Sequence, residues 1–220
     1  MKKSILLSII LSLSLVACIP QAMAQKQSRM EKLLRYLNDN DTEKWQKNRE
    51  KVDNDTKAYY AEELALLDVL NGLWNEQSEQ AATDYFGCYG KAFQGNFSTI
   101  CDEEKIQLSD VRNRAEQSII YILEGSKDKI PFSRAVIDSI CSTDYPADSV
   151  MLQRLRDIRE LALLEGMLKT PTPGTYQTYL AEYPNGKFIA QVNAAENKRL
   201  YQLVEKDPSS GNFKAFFDNA

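Results

Sequence analysis

From residue 108 onward the apolar side chains recur three or four positions apart. Leu108, Val111, Ala115, Ile119 and Ile122 form one such series, and Met151, Leu155, Ile158, Leu161, Leu164 and Leu168 form another. Apolar residues at that spacing line one side of a helix of 3.6 residues per turn, whereas a half-buried strand needs strict alternation. No alternating β-branched run bounded by turn residues occurs anywhere in the chain, so no sheet is expected. Helix breakers are also scarce. The 9 glycines and 7 prolines are about 7% of 220 residues, against the roughly 12% that is usual. The expected fold is therefore all-α.

Cap and turn residues divide the chain into segments. Asp39-Asn40-Asp41-Thr42 and Asp53-Asn54-Asp55-Thr56 repeat one four-residue pattern 14 positions apart, and these are N-cap and turn residues. They predict helices over 29–38, 42–52 and 56–75. In the last of these, Leu66, Leu67, Leu70, Leu73 and Trp74 make one buried stripe. Ser109 or Asp110 is a plausible cap for the next helix, which Gly125 ends. Pro131 and Pro146 each open a further one. Pro171-Thr172-Pro173-Gly174 is a break, followed by a helix to Tyr183, a Pro184-Asn185-Gly186 turn and a helix to about Lys206. A turn over 207–211 then leads to a short terminal helix.

The complete absence of histidine removes whole classes of chemistry. Ser-His-Asp and Cys-His nucleophiles, His-ligated zinc and His-ligated haem all need an imidazole. Calcium is also disfavoured. Asp39, Asp41, Glu43 and Glu50 match positions 1, 3, 5 and 12 of an EF-hand loop, but the sixth position is Lys44 where the loop needs glycine. No metal site or cofactor is expected.

Lys2 and Lys3 precede an uncharged apolar run from Ser4 to Ala17, the layout of a bacterial-type export signal. Two processing sites compete. Ala22-Met23-Ala24 would release a chain starting at Gln25, with residues 1–24 as the signal. Leu15-Val16-Ala17-Cys18 is similar to the lipobox of bacterial lipoproteins, which would leave 1–17 as the signal and a lipidated Cys18 holding the protein on a membrane. The expected location is accordingly the periplasm, or a membrane surface reached through Cys18. Loss of residues 1–24 leaves 25 cations against 31 acids, a net charge of −6. With no clustered basic patch, nucleic acid is not an expected partner.

Cys88, Cys101 and Cys141 remain beyond the signal, in a compartment that permits disulfides. Cys88 with Cys101 would close a loop of about 14 residues, worth ~3 kcal/mol if the geometry allows. Burial of all three as small apolar residues is the other reading.

An internal repeat is visible on self-comparison. Glu63-Leu64-Ala65-Leu66-Leu67 returns as Glu160-Leu161-Ala162-Leu163-Leu164, 97 residues later. Tyr85-Phe86 with Tyr89 is echoed by Tyr179-Leu180 with Tyr183, 94 residues later and in the same order. Duplicated helical units imply stacked hairpins whose apolar faces need each other. In the second copy, Tyr176-Gln177-Thr178-Tyr179-Leu180-Ala181-Glu182-Tyr183-Pro184-Asn185-Gly186-Lys187-Phe188 resembles the helix-turn-helix junction of tetratricopeptide-like proteins of the bacterial cell envelope. In that family the Pro and the small residue end the first helix of a hairpin and the aromatic starts the second. Gly87-Cys88-Tyr89-Gly90 in the first copy departs from the pattern. The resemblance implies stacked helical hairpins for protein interaction and carries over no catalytic residue. The domain expectation is an N-terminal helical unit over 25–145 and TPR-like hairpins over 146–220.

Tyr85, Tyr89, Phe93 and Phe97 stand four apart and share one side of a helix, with Gly87, Gly90 and Gly95 among them. Such a row suits a binding face for a peptide or sugar, or a packing seam against the next helix. Phe213, Phe216 and Phe217 give the terminal helix an apolar edge, which either seals the last repeat or docks another chain. The expected role is non-enzymatic: a protein-interaction or scaffold module whose partner is a protein or envelope component. The alternative is a small envelope enzyme or saccharide-binding protein that uses carboxylates beside the aromatic row.

Overall fold

The computed structural model describes residues 23–145 and 149–218. The proposed export signal and Cys18 lie outside these, apart from residues 23 and 24. Among the described residues the chain is helical throughout and contains no strand, so the fold is all-α. The helices are α1 (23–38), α2 (Thr42–Arg49), α3 (Asn54–Tyr59), α4 (Ala61–Asn71), α5 (Glu79–Gln94), α6 (Phe97–Glu103) and α7 (Leu108–Gly125). They continue with α8 (Lys129–Cys141), α9 (Ser149–Lys169), α10 (Pro173–Glu182), α11 (Ile189–Lys206) and α12 (Ser210–Phe217). A π-helical turn, Gly72–Glu76, follows α4 directly and ends at Gln77, whose φ is +52°. No helix among the described residues is long and apolar enough to cross a membrane.

The chain forms two compact units. Among the described residues, one comprises 23–122 with Ser139–Tyr145, and the other comprises Leu123–Asp138 with 149–218. Residues 123–138, which the sequence groups with the N-terminal segment, therefore belong with the second unit.

Local capping decides where the early helices start. Asp41 accepts from the Lys44 N–H at 3.1 Å and starts α2, whereas Asp53 accepts from the Thr56 N–H at 2.8 Å and starts α3. The same four residues thus cap from different positions, the third in one copy and the first in the other. The Asp41 carboxylate is also bonded to the Lys44 ammonium at 2.6 Å, an interaction opposite in sense to cation capture. Tyr60 interrupts the helix expected over 56–75, because its ψ of 37° is not helical. Further on, α7 begins at Leu108, so Ser109 and Asp110 lie inside its first turn rather than capping it.

In the first unit, Met30, Leu33, Leu34 and Leu37 of α1 and Leu64, Leu66, Leu67 and Leu70 of α4 are buried. Arg114 of α7 stacks on the Trp74 ring at 4.0 Å and donates to the Asn38 carbonyl at 3.3 Å, fastening α7 to the turn after α1. In the second unit, Leu163, Leu164 and Met167 of α9 pack with Tyr176 and Tyr179 of α10 and Val192 of α11. Here the sequence stripe is corrected. Leu161 and Leu168 are 44% and 63% exposed, while Ala162, Leu163 and Met167 are buried. The face of α9 that turns inward is the one carrying Arg159 and Glu160, both about 4% exposed and both bonded to α10 or the turn after it.

Candidate functional site

The aromatic row does come together, but as a packing seam. Tyr85, Tyr89 and Phe97 are at most 5% exposed, and only Phe93 is partly open. Tyr89 stacks on Phe93 with ring centroids 3.8 Å apart. Tyr145, which closes the first unit, packs edge-on against Phe86 and Tyr89 at 4.9 Å each and Tyr85 at 5.7 Å. Edge-on and offset contacts at these separations are favourable core packing. The row is corrected from an open binding face to the interior of the first unit. The reason is Tyr145, a residue 60 positions from Tyr85 that fills the side a ligand would need.

A carboxylate does stand beside this seam. Glu116 accepts the Tyr145 hydroxyl at 2.6 Å and lies 3.7 Å from the Arg112 guanidinium, so both of its strongest neighbours are already supplied by the chain. The Tyr85 hydroxyl lies near that of Tyr145 without reaching hydrogen-bond geometry and is buried without a partner.

Sequence reasoning singled out the repeated Glu-Leu-Ala-Leu-Leu, and its leading glutamates turn out to do the same thing in both units. Glu63, 3% exposed on α4, accepts the Asn96 N–H in the turn between α5 and α6. Glu160, 4% exposed on α9, accepts the Tyr179 hydroxyl at 2.6 Å and the Phe188 N–H at 3.4 Å in the turn between α10 and α11. The Tyr179 oxygen accepts the Phe188 N–H as well, at 3.1 Å. In each case a long helix reaches across its neighbour and satisfies an orphan N–H at the next helix start. Each turn carries a glycine beside the carboxylate. A Cβ at Gly95 would fall on Glu63 Oε1, and one at Gly186 would fall on Glu160 Oε1 and the Tyr179 hydroxyl, with Tyr183 Cβ only 2.9 Å away. Gly186→Ala is therefore expected to cost about 1–3 kcal/mol by overpacking. Urea denaturation measures this, and an unchanged midpoint would remove the tie from the account of the turn.

Cys88, Cys101 and Cys141 are free, so the bridge expected between Cys88 and Cys101 is not formed. Cys101 is fully buried in α6, and burial pushes its thiol up to about 12. Burial also raises the Cys88 thiol and holds the phenols of Tyr85, Tyr145 and Tyr179 above their ordinary value. These groups are neutral when folded and ionise earlier when unfolded. Their contribution is thus complete below the unfolded values, near 9 for the thiols and 10 for the phenols, and is lost as pH rises through the folded values. The thermal midpoint is expected to fall steadily above about pH 9. A flat profile from neutrality to strongly alkaline pH would contradict the burial of these hydroxyls.

Among the described residues of the second unit, grooves open in several places. One of about 380 Å³ lies over the start of α8 and the later part of α9. Asp128 and Glu165 line it together with Lys127, Lys129 and Lys169, and Glu165 is already within 4.0 Å of Lys129. A second, about 540 Å³, is a shallow surface around Val150, Gln153, Arg154 and Asp157. The third, about 450 Å³, lies between the end of α9 and α11 and has a mostly apolar floor. Among the described residues no three Cys, Asp or Glu side chains are grouped as a metal ion would need.

An apolar edge is left uncovered on the last helix. Ser209 caps α12, and none of its residues is buried. Phe216 packs against Tyr201 of α11 with centroids 6.1 Å apart, but Phe213 and Phe217 are 41% and 70% exposed, four residues apart on one side of the helix. This edge was legible in the sequence as one of two readings, and the structure leaves it outside the core. Set against family models, curated proteins and solved structures, the chain matches none of them.

Proposed function

We propose that this chain is an exported, non-enzymatic helical-repeat module that binds another protein in the bacterial cell envelope. The observation that carries the reading is the uncovered aromatic edge of α12. A helix with no fully buried residue contributes little to its own unit, so the exposed Phe213 and Phe217 are better explained by a partner than by the core. The repeated glutamate tie and the segment resembling tetratricopeptide-like junctions support the repeat reading. Stacked hairpins present extended surfaces of this kind, with affinity concentrated in a few aromatic anchors. The charged and apolar layout of residues 1–24 supports export, with release at Gln25 or retention through a lipidated Cys18.

The test is covalent crosslinking in the native cell, followed by purification and mass spectrometry. The wild-type chain is expected to yield a reproducible partner that Phe213→Ser with Phe217→Ser abolishes. Deleting residues 207–220 should abolish it too while moving the thermal midpoint only slightly, because no residue of α12 is fully buried. Recovery of the wild-type chain without any partner, or a large loss of stability on deletion, would overturn the reading.

A further inference from the structure

Two features of the second unit are left without a role, and each has the chemistry the other requires. The groove between the end of α9 and α11 is floored by Met167, Leu168, Pro171, Ala194 and Ala195. No carboxylate lines it, and its rim carries Lys198 and Arg199. Arg199 is held by Glu196 through two bonds of 2.6 and 2.7 Å, whereas Lys198 has no ion pair among the described residues. Leu168 belongs to the helical stripe of α9, yet it stands mostly exposed at this groove.

The aromatic edge of α12 is the counterpart. Phe213 and Phe217 project from one side, and Asp218 caps the helix immediately after them with its carboxylate in solvent. The helix cannot serve its own groove, because Phe216 holds it against Tyr201 and the other two rings remain exposed there. We propose that the edge of α12 docks into the α9–α11 groove of a second copy of this chain, with Phe213 and Phe217 on the apolar floor and Asp218 toward Lys198. This rests on the reading of α12 as an interaction edge and names its partner.

The choice of a second copy follows from complementarity. An aromatic pair followed by an acid meets an apolar floor whose rim carries Lys198, a cation with no ion pair among the described residues. Edge and groove are different surfaces of one protomer, so the contact is heterologous and joins copies head to tail.

Sedimentation velocity of the purified exported chain over a wide concentration range tests this. Mass is expected to rise with concentration, and Phe217→Asp in the edge or Leu168→Glu in the groove should each weaken association about tenfold or more. Both positions are exposed, and circular dichroism checks that the fold is kept. Mixing these two variants should restore pairs and nothing longer, since one retains a sound groove and the other a sound edge. Lys198→Glu should weaken association about two- to fivefold, and adding Asp218→Lys should recover it. A wild-type chain that stays monomeric at every concentration overturns the proposal, as does association that survives both single variants. If that monomer is nevertheless crosslinked in the cell to a different protein through Phe213 and Phe217, self-docking fails and the binding function stands. If the wild-type chain crosslinks to nothing, both fail.

Discussion

Arg159→Ala is expected to destabilise the second unit by about 3–5 kcal/mol, because it leaves a partly buried carboxylate without its cation and strips two further bonds. The guanidinium, 4% exposed, donates to both oxygens of Glu182 at 2.5 and 2.6 Å. It also reaches the Ile130 carbonyl at 2.6 Å and the Ser133 hydroxyl at 3.2 Å. One side chain of α9 thereby fastens α8 and α10, and Arg134 adds a second, longer approach to Glu182 at 3.7 Å. Trp45 and Trp74 are the only tryptophans and both lie in the first unit, so their emission reads that unit while far-ultraviolet ellipticity reads both. In Arg159→Ala the ellipticity should begin to fall at a lower temperature than the tryptophan transition. Replacing the pair together, Arg159→Met with Glu182→Leu, should recover much of the loss, since the penalty comes from the orphaned charge. A single variant that melts like the wild type would mean the network contributes nothing net.

Tyr89→Ala is expected to cost the first unit about 3–5 kcal/mol, the range for deleting a large buried aromatic. Its ring fills the space between Phe93, Tyr85 and Tyr145, and removing it leaves a cavity bounded by rings that cannot all move inward together. Phe93→Ala should cost less, since Phe93 is partly open and loses mainly the stack on Tyr89. Chemical denaturation followed by tryptophan emission measures both. The outcome separates a packing seam from a binding face: Tyr89→Ala at unchanged stability would return the row to the list of ligand-gripping surfaces.

Much of this fold is legible in the residues themselves. Of the two expected stripes, Val111, Ala115, Ile119 and Ile122 are buried with Leu108 half-buried at the helix start, and Leu66, Leu67, Leu70 and Leu73 are at most 1% exposed with Trp74 half-buried. Caps and turns at Asp41, Asp53, Thr172 and Ser209 are local interactions over three residues, so they can be read without any knowledge of what packs nearby. The repeated Glu-Leu-Ala-Leu-Leu was visible as well, but only as a pattern. That its glutamate serves the next helix start 28 or 33 residues away needs the path of the chain.

The candidate site divides in the same way. Periodicity puts Tyr85, Tyr89, Phe93 and Phe97 on one side of a helix and cannot say what covers that side, because Tyr145 arrives from far along the sequence. It likewise ranks Leu161 and Leu168 with the buried leucines of α9. The tertiary structure instead turns inward the side carrying Ala162, Leu163 and Met167, where Arg159 and Glu160 are buried with their charges bonded. For the phenylalanines of α12 the sequence offered a sealing helix or a docking edge, and the tertiary structure adds that Phe216 packs on Tyr201 while Phe213 and Phe217 stay exposed. By itself, then, the sequence determined that the chain is helical and where several of its helices begin, since those depend on local spacing and capping. Which faces are core and which stay exposed was decided by tertiary structure, since burial is a property of pairs of surfaces brought together from distant parts of the chain.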